Sequence, residues 1–137
     1  MSYSPYGSHR PIDVLVGKTI ESIKEAGGTS LTFKTTDGLE YHMEHMQSCC
    51  EDVSLEDVAG DLNDLIGSPV LTAYEESDTS LPPRNTGYTS DSYTWTFYRL
   101  STIKGTVTLR WYGTSNGYYG EDVDFMLVKG EDGFQHV

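Results

Sequence analysis

Basic residues are scarce in this chain: nine lysines and arginines stand against twenty-one aspartates and glutamates, leaving a formal charge of −12. That balance opposes phosphate backbones and anionic lipid, so direct nucleic-acid binding and membrane association are disfavoured. Cysteine is also sparse, with Cys49 and Cys50 adjacent and no spaced framework, which points to a reducing, cytoplasmic setting. Long apolar runs are missing. Residues 1–11 are rich in Ser, Pro, Gly and Tyr and read as a flexible arm, neither signal peptide nor membrane span. Nor is there a block of five or six like charges. The acids therefore read first as a solvated surface, with imitation of nucleic acid to occupy a basic host protein as the alternative. A phosphate loop is excluded at Gly113 to Gly120, which has glycines but neither a lysine-serine/threonine ending nor a helix after it.

What is present suits one domain. The 137 residues are 36% hydrophobic, enough for a core without staples. A single domain is expected over 12–130, with a long mobile loop at 75–92 and a tail at 131–137. Ile12 to Ala26 reads as a first strand, bulged because Ile20 and Ile23 are out of phase. Leu31, Phe33 and Thr35 alternate with Thr32 and Lys34, and Thr36-Asp37-Gly38 is a hairpin signal leading into a strand from Leu39 to about His45. Alternation there puts His42 and His45 on opposite faces, a poor chelate. Leu55, Val58, Leu62, Leu65 and Ile66 recur at helical spacing behind Ser54 as a cap, with Gly67 and Pro69 as a stop. They predict one main helix over about 54–66, although Gly60 weakens it. Val70 to Tyr74 and three C-terminal segments (Tyr93 to Leu100, Thr106 to Tyr112, Val123 to Leu127) alternate as strands. The expected class is α+β: a mostly antiparallel sheet of six to seven strands with the helix packed on it.

Several linked motifs then carry a resemblance. Gly17-Lys18-Thr19-Ile20, His45-Met46-Gln47-Ser48-Cys49-Cys50-Glu51, Leu55 to Leu62, Leu65-Ile66-Gly67-Ser68-Pro69-Val70, Ser92 to Tyr98 and Arg110 to Tyr119 together resemble a family of small, mostly bacteriophage-encoded proteins of unknown function. The resemblance spans roughly residues 15–127 and brings no established catalytic residues. It implies a viral or prophage origin and action in the cytoplasm of the bacterial host.

Three chemistries compete for the polar residues. Zinc is one, at His45 with Cys49 and Cys50, but adjacent cysteines do not match the spacing that lets two sulfurs converge on one ion. A cysteine nucleophile, Cys49 or Cys50 activated by His45, is another, with no third orienting residue assignable. The plainer reading makes His45, Cys49, Cys50 and Glu51 a structural corner, with no cofactor. The third chemistry is a ligand-binding face of Trp95, Tyr98, Arg110, Tyr112, Asn116, Tyr118 and Tyr119, where rings stack on a base, arginine holds phosphate and an amide reads an edge. Its bland counterpart is ordinary cross-strand packing. The leading expectation is a non-enzymatic phage accessory protein that counters host defence by sequestering a small nucleotide-type immune signal. The alternatives are an acidic protein that blocks a host defence protein, or a cysteine/histidine-dependent enzyme. Small ligand-trapping proteins often need a second subunit to close the pocket, so homo-oligomer formation stays open.

Overall fold

The computed structural model describes residues 3–4, 7–45, 51–79, 92–115 and 120–131. These residues form ten strands in two antiparallel sheets: β1 (Tyr3–Ser4), β2 (Gly7–His9), β3 (Ile20–Ala26), β4 (Ser30–Thr35), β5 (Glu40–Glu44), β6 (Asp52–Ala59), β7 (Thr72–Asp78), β8 (Ser92–Thr102), β9 (Gly105–Ser115) and β10 (Asp124–Lys129). One sheet runs β1-β2-β10-β5-β4-β3 and the other β6-β9-β8-β7. The only helical elements among the described residues are two four-residue 3-10 turns, Ile12–Leu15 and Leu62–Leu65.

The expected α+β class is therefore wrong, and the main helix over 54–66 does not exist. Residues 54–59 belong to β6, and Leu62–Leu65 is one of the short turns. The misreading has a physical cause. A register shift between Leu55 and Asp57 inserts one residue, so Leu55 lies opposite Trp111 and Val58 opposite Leu109, both core residues. A three-residue spacing, which imitates a helix, thus comes from a bulged strand. Gly60 has φ +107 and a Cβ there would lie 2.7 Å from the Thr106 carbonyl oxygen, a conformation no helix interior contains. The cap is Asp61, whose side chain accepts from the Asn63 amide. The first strand is likewise a turn followed by β3, and the bulge expected near Ile20 is present between Ile20 and Ser22.

The chain repeats itself. Turn, β3, β4, β5 and β6 recur as turn, β7, β8, β9 and β10, and each half donates its last strand to the other, since β10 completes β5-β4-β3 while β6 completes β9-β8-β7. The echo is visible in sequence: Ile12-Asp13-Val14-Leu15-Val16-Gly17 against Leu62-Asn63-Asp64-Leu65-Ile66-Gly67, and Glu51-Asp52-Val53 against Glu121-Asp122-Val123. The two turns grip each other reciprocally. Val16 bridges Val70 while Ile20 bridges Ile66, and the Gly17 amide donates to the Val70 carbonyl at 2.8 Å as the Gly67 amide donates to the Ile20 carbonyl at 3.0 Å. Both glycines need positive φ, +87 and +89.

Between the sheets lies one core, built from Leu31, Phe33, Tyr41, Met43, Phe125 and Leu127 on one side and Tyr98, Leu100, Val107, Leu109 and Trp111 on the other. Leu15 and Leu65, both fully buried, bring the two turns into it. Phe125 stacks on Tyr41 at 5.2 Å and meets Phe33 edge-on at 5.9 Å. At the chain start, β2 pairs with β10, with Met126 opposite His9.

Candidate functional site

Alternation along β8 and β9 decides which side chains leave the core. Thr96, Tyr98, Leu100, Val107, Leu109 and Trp111 turn inward, which sends Tyr93, Trp95, Phe97, Arg99, Arg110 and Tyr112 to the outer face of the four-stranded sheet. Trp95 lies opposite Tyr112, with ring centroids 4.5 Å apart, and Tyr93 stacks on Tyr112 from the other side at 6.0 Å. Each arginine covers a ring: Arg110 sits 5.2 Å from the Trp95 centroid and Arg99 5.3 Å from that of Phe97. The edge strands supply acids, Asp57 on β6 to Arg110 at 3.5 Å and Glu76 on β7 to Arg99 at 3.1 Å. The result is an aromatic and arginine centre on the two middle strands, rimmed by carboxylates.

Of the residues expected to bind a ligand, Trp95, Arg110 and Tyr112 meet on this face. Tyr98 does not. It points into the core, where its hydroxyl donates to the Val123 carbonyl at 3.1 Å and burial raises its phenol above the ordinary range. Asn116, Tyr118 and Tyr119 lie outside the described residues. The face includes residues not singled out for it beforehand: Tyr93, Phe97 and Arg99. Their signal was phase, because strict alternation from Trp95 selects Tyr93, Phe97 and Arg99 and rejects Tyr98. Trp95 is only 8% exposed, so Tyr112 and Arg110 already occupy much of its ring surface.

The corner residues describe a second locus. His45 Nδ1 lies 2.5 Å from the Asp122 carbonyl oxygen, which can only accept, so that nitrogen carries the proton. Its Nε2 lies 2.9 Å from Glu51 Oε1, with both side chains buried. His45 thus ties the β5–β6 connection to the β9–β10 connection, and both ring nitrogens are engaged in doing so. Cys49 and Cys50 lie outside the described residues, and among the described residues no three His, Cys, Asp or Glu side chains are arranged to hold a metal. Glu121 takes the matching place in the second repeat. Its two oxygens accept from Thr94 Oγ1 at 2.7 Å and Ser115 Oγ at 2.5 Å. His42 lies on the opposite side of β5, 3.4 Å from Glu44, apart from His45.

Fold and site define a two-sheet antiparallel β domain, made of two strand-exchanging repeats, with one aromatic outer face. The chain belongs to a family described as a domain of unknown function, DUF7448, whose model matches residues 13–125. Comparison with curated proteins and with solved structures gives no match. No helix among the described residues is long and apolar enough to cross a membrane.

Proposed function

We propose that this protein acts by binding rather than by catalysis, as a bacteriophage accessory protein in the host cytoplasm, and that its working surface is the outer face of β6-β9-β8-β7 docked on a host defence protein. The arrangement of that face carries the reading: Tyr93, Trp95, Phe97, Tyr112 and two arginines at the centre, with Asp57 and Glu76 on the edge strands. Aromatic residues and arginine concentrate at the energetic centres of protein interfaces, and charged groups at their rims. A net charge of −12 selects a partner with basic residues around an apolar centre, and speeds its encounter. The phage setting rests on the resemblance of the linked sequence motifs.

Sequestration of a small nucleotide-type signal is the second reading, favoured by the guanidinium-over-ring pairs, whose chemistry holds a base and a phosphate. It ranks behind protein docking because Trp95 and Tyr112 are already covered, leaving little ring surface for a base to stack on. The test compares variants in co-purification from infected cells. Phe97→Asp should abolish capture of a host protein that wild type and Thr32→Asp, on the other sheet's outer face, both retain. Equal capture by Phe97→Asp would overturn the docking reading. A retained nucleotide mass in native mass spectrometry, lost in Arg110→Ala, would promote the second.

A further inference from the structure

β7 is an edge strand, and among the described residues its outer side pairs with no other strand. Where it starts, it packs against the turn Ile12–Leu15, and the two border an open recess of about 200 Å³ lined by Pro11, Ile12, Asp13, Ala73, Tyr74 and Glu75. Drug-sized ligands occupy larger cavities, roughly 300–1,000 Å³, so this space suits a single side chain. Its lining combines an apolar base, a tyrosine left 49% exposed and two carboxylates, with no basic residue. The surroundings are negative as well. The Glu75 carboxyl is held above its ordinary value by partial burial first, and then by the charges of Asp122 and Asp124. A cation in the recess would relieve that repulsion and meet the face of Tyr74.

The recess also adjoins the aromatic face. Tyr74 lies opposite Arg99 in the β7–β8 register, and Glu76, two residues on, holds Arg99. Only one edge strand separates the two surfaces. We infer that the recess takes the cationic end of a lysine or arginine side chain from the same protein partner, with the Tyr74 ring as its apolar face and Asp13 and Glu75 as counter-charges. This rests on the docking reading, and names what that partner must carry: a basic side chain beside the segment that covers Phe97.

The partner's side chain can be replaced by a small probe. The full-length ¹⁵N-labelled protein is titrated with N-acetyl-arginine methylamide, N-acetyl-lysine methylamide and the neutral isostere N-acetyl-citrulline methylamide. The two cations should give saturable amide shifts at 12–13 and 73–75 in the millimolar range, with citrulline at least tenfold weaker. Glu75→Gln and Asp13→Asn should each weaken the response several-fold, whereas Phe97→Asp should leave it unchanged. Dispersed spectra of the variants establish that they fold. Shifts spread over the acidic surface without saturation, or an equal response to citrulline, would overturn the recess as a cation site. If the cations saturate it but partner capture is insensitive to both Glu75→Gln and Phe97→Asp, the protein partner is overturned and a free-cation site remains.

Discussion

The two repeats keep the same interior and show different exteriors. Leu15 and Leu65, Gly17 and Gly67, and Glu51 and Glu121 occupy matching places. The outer faces share nothing comparable. On the first sheet the outward-facing positions carry Thr32, Lys34, His42 and Glu44; on the second they carry Tyr93, Trp95, Phe97, Arg99, Arg110 and Tyr112. Matching interiors are what one frame requires, since both halves must fill one core and close on each other's turns. Among the described residues, the cluster of aromatic rings on the second exterior answers no requirement of the frame, and for that reason it marks the surface to test for binding.

The sharpest way to break this comparison is to strike equivalent frame residues. Leu15→Ala and Leu65→Ala each empty a fully buried position and should cost about 2–5 kcal/mol, in similar measure, by urea unfolding. A loss confined to one would show that the repeats are not equivalent halves of one cooperative unit. The buried glutamates come next and should differ. Glu51→Ala removes the buried partner of His45 Nε2 outright and should cost about 3–5 kcal/mol. Glu121→Gln keeps one acceptor oxygen and faces hydroxyls able to turn and accept, so a loss of about 1.5–3 kcal/mol is expected. Equal losses would mean that the amide at 121 satisfies neither hydroxyl.

Glycine substitutions probe the same frame at lower cost. A Cβ on Gly17 meets nothing within 4 Å, so Gly17→Ala bears only the positive-φ penalty, about 1–2 kcal/mol. Gly60→Ala adds a collision with the Thr106 carbonyl at 2.7 Å and should lower the melting temperature further than Gly17→Ala does. Equal shifts would mean that β6 can move away from β9 at that point.

Much of the strand pattern was legible because period-two alternation is local: β4, β5, β8, β9 and β10 each overlap a segment read from it, most of them running a few residues further. The helix over 54–66 failed because a bulge, fixed by pairing with β9, gave Leu55 and Val58 a spacing that local pattern assigns to a helix. The repeat escaped because its identities are few and separated: a Leu, an aliphatic and a Gly at each turn, then Glu-Asp-Val far downstream. Only reciprocal contacts between the turns make them conspicuous. At the site, alternation already placed Trp95 beside Tyr93 and Phe97, and joining Tyr98 to that set ignored phase. The recess at β7 had no sequence signal, since Asp13 and Glu75 are brought together by the packing of a turn on an edge strand.

The smallest effect expected is at that recess, and its sign is informative. Glu75 is solvent-exposed over much of its surface, yet its carboxyl titrates above its ordinary value, through burial and the nearby Asp122 and Asp124. A group raised in the folded state favours folding most while protonated. Its contribution is fully present below the unfolded value near 4.5 and is lost as pH rises through the folded one. Ionised Glu75 therefore opposes folding at neutral pH, by an amount that solvent screening keeps small. Glu75→Gln removes that opposition. The variant's melting temperature, relative to wild type, should climb as pH rises from 4 and level off above the folded value. A difference that is flat with pH, or that shrinks as pH rises, would mean that the carboxylates around the recess do not act on one another. The negative field that makes a cationic side chain the expected occupant would then be absent.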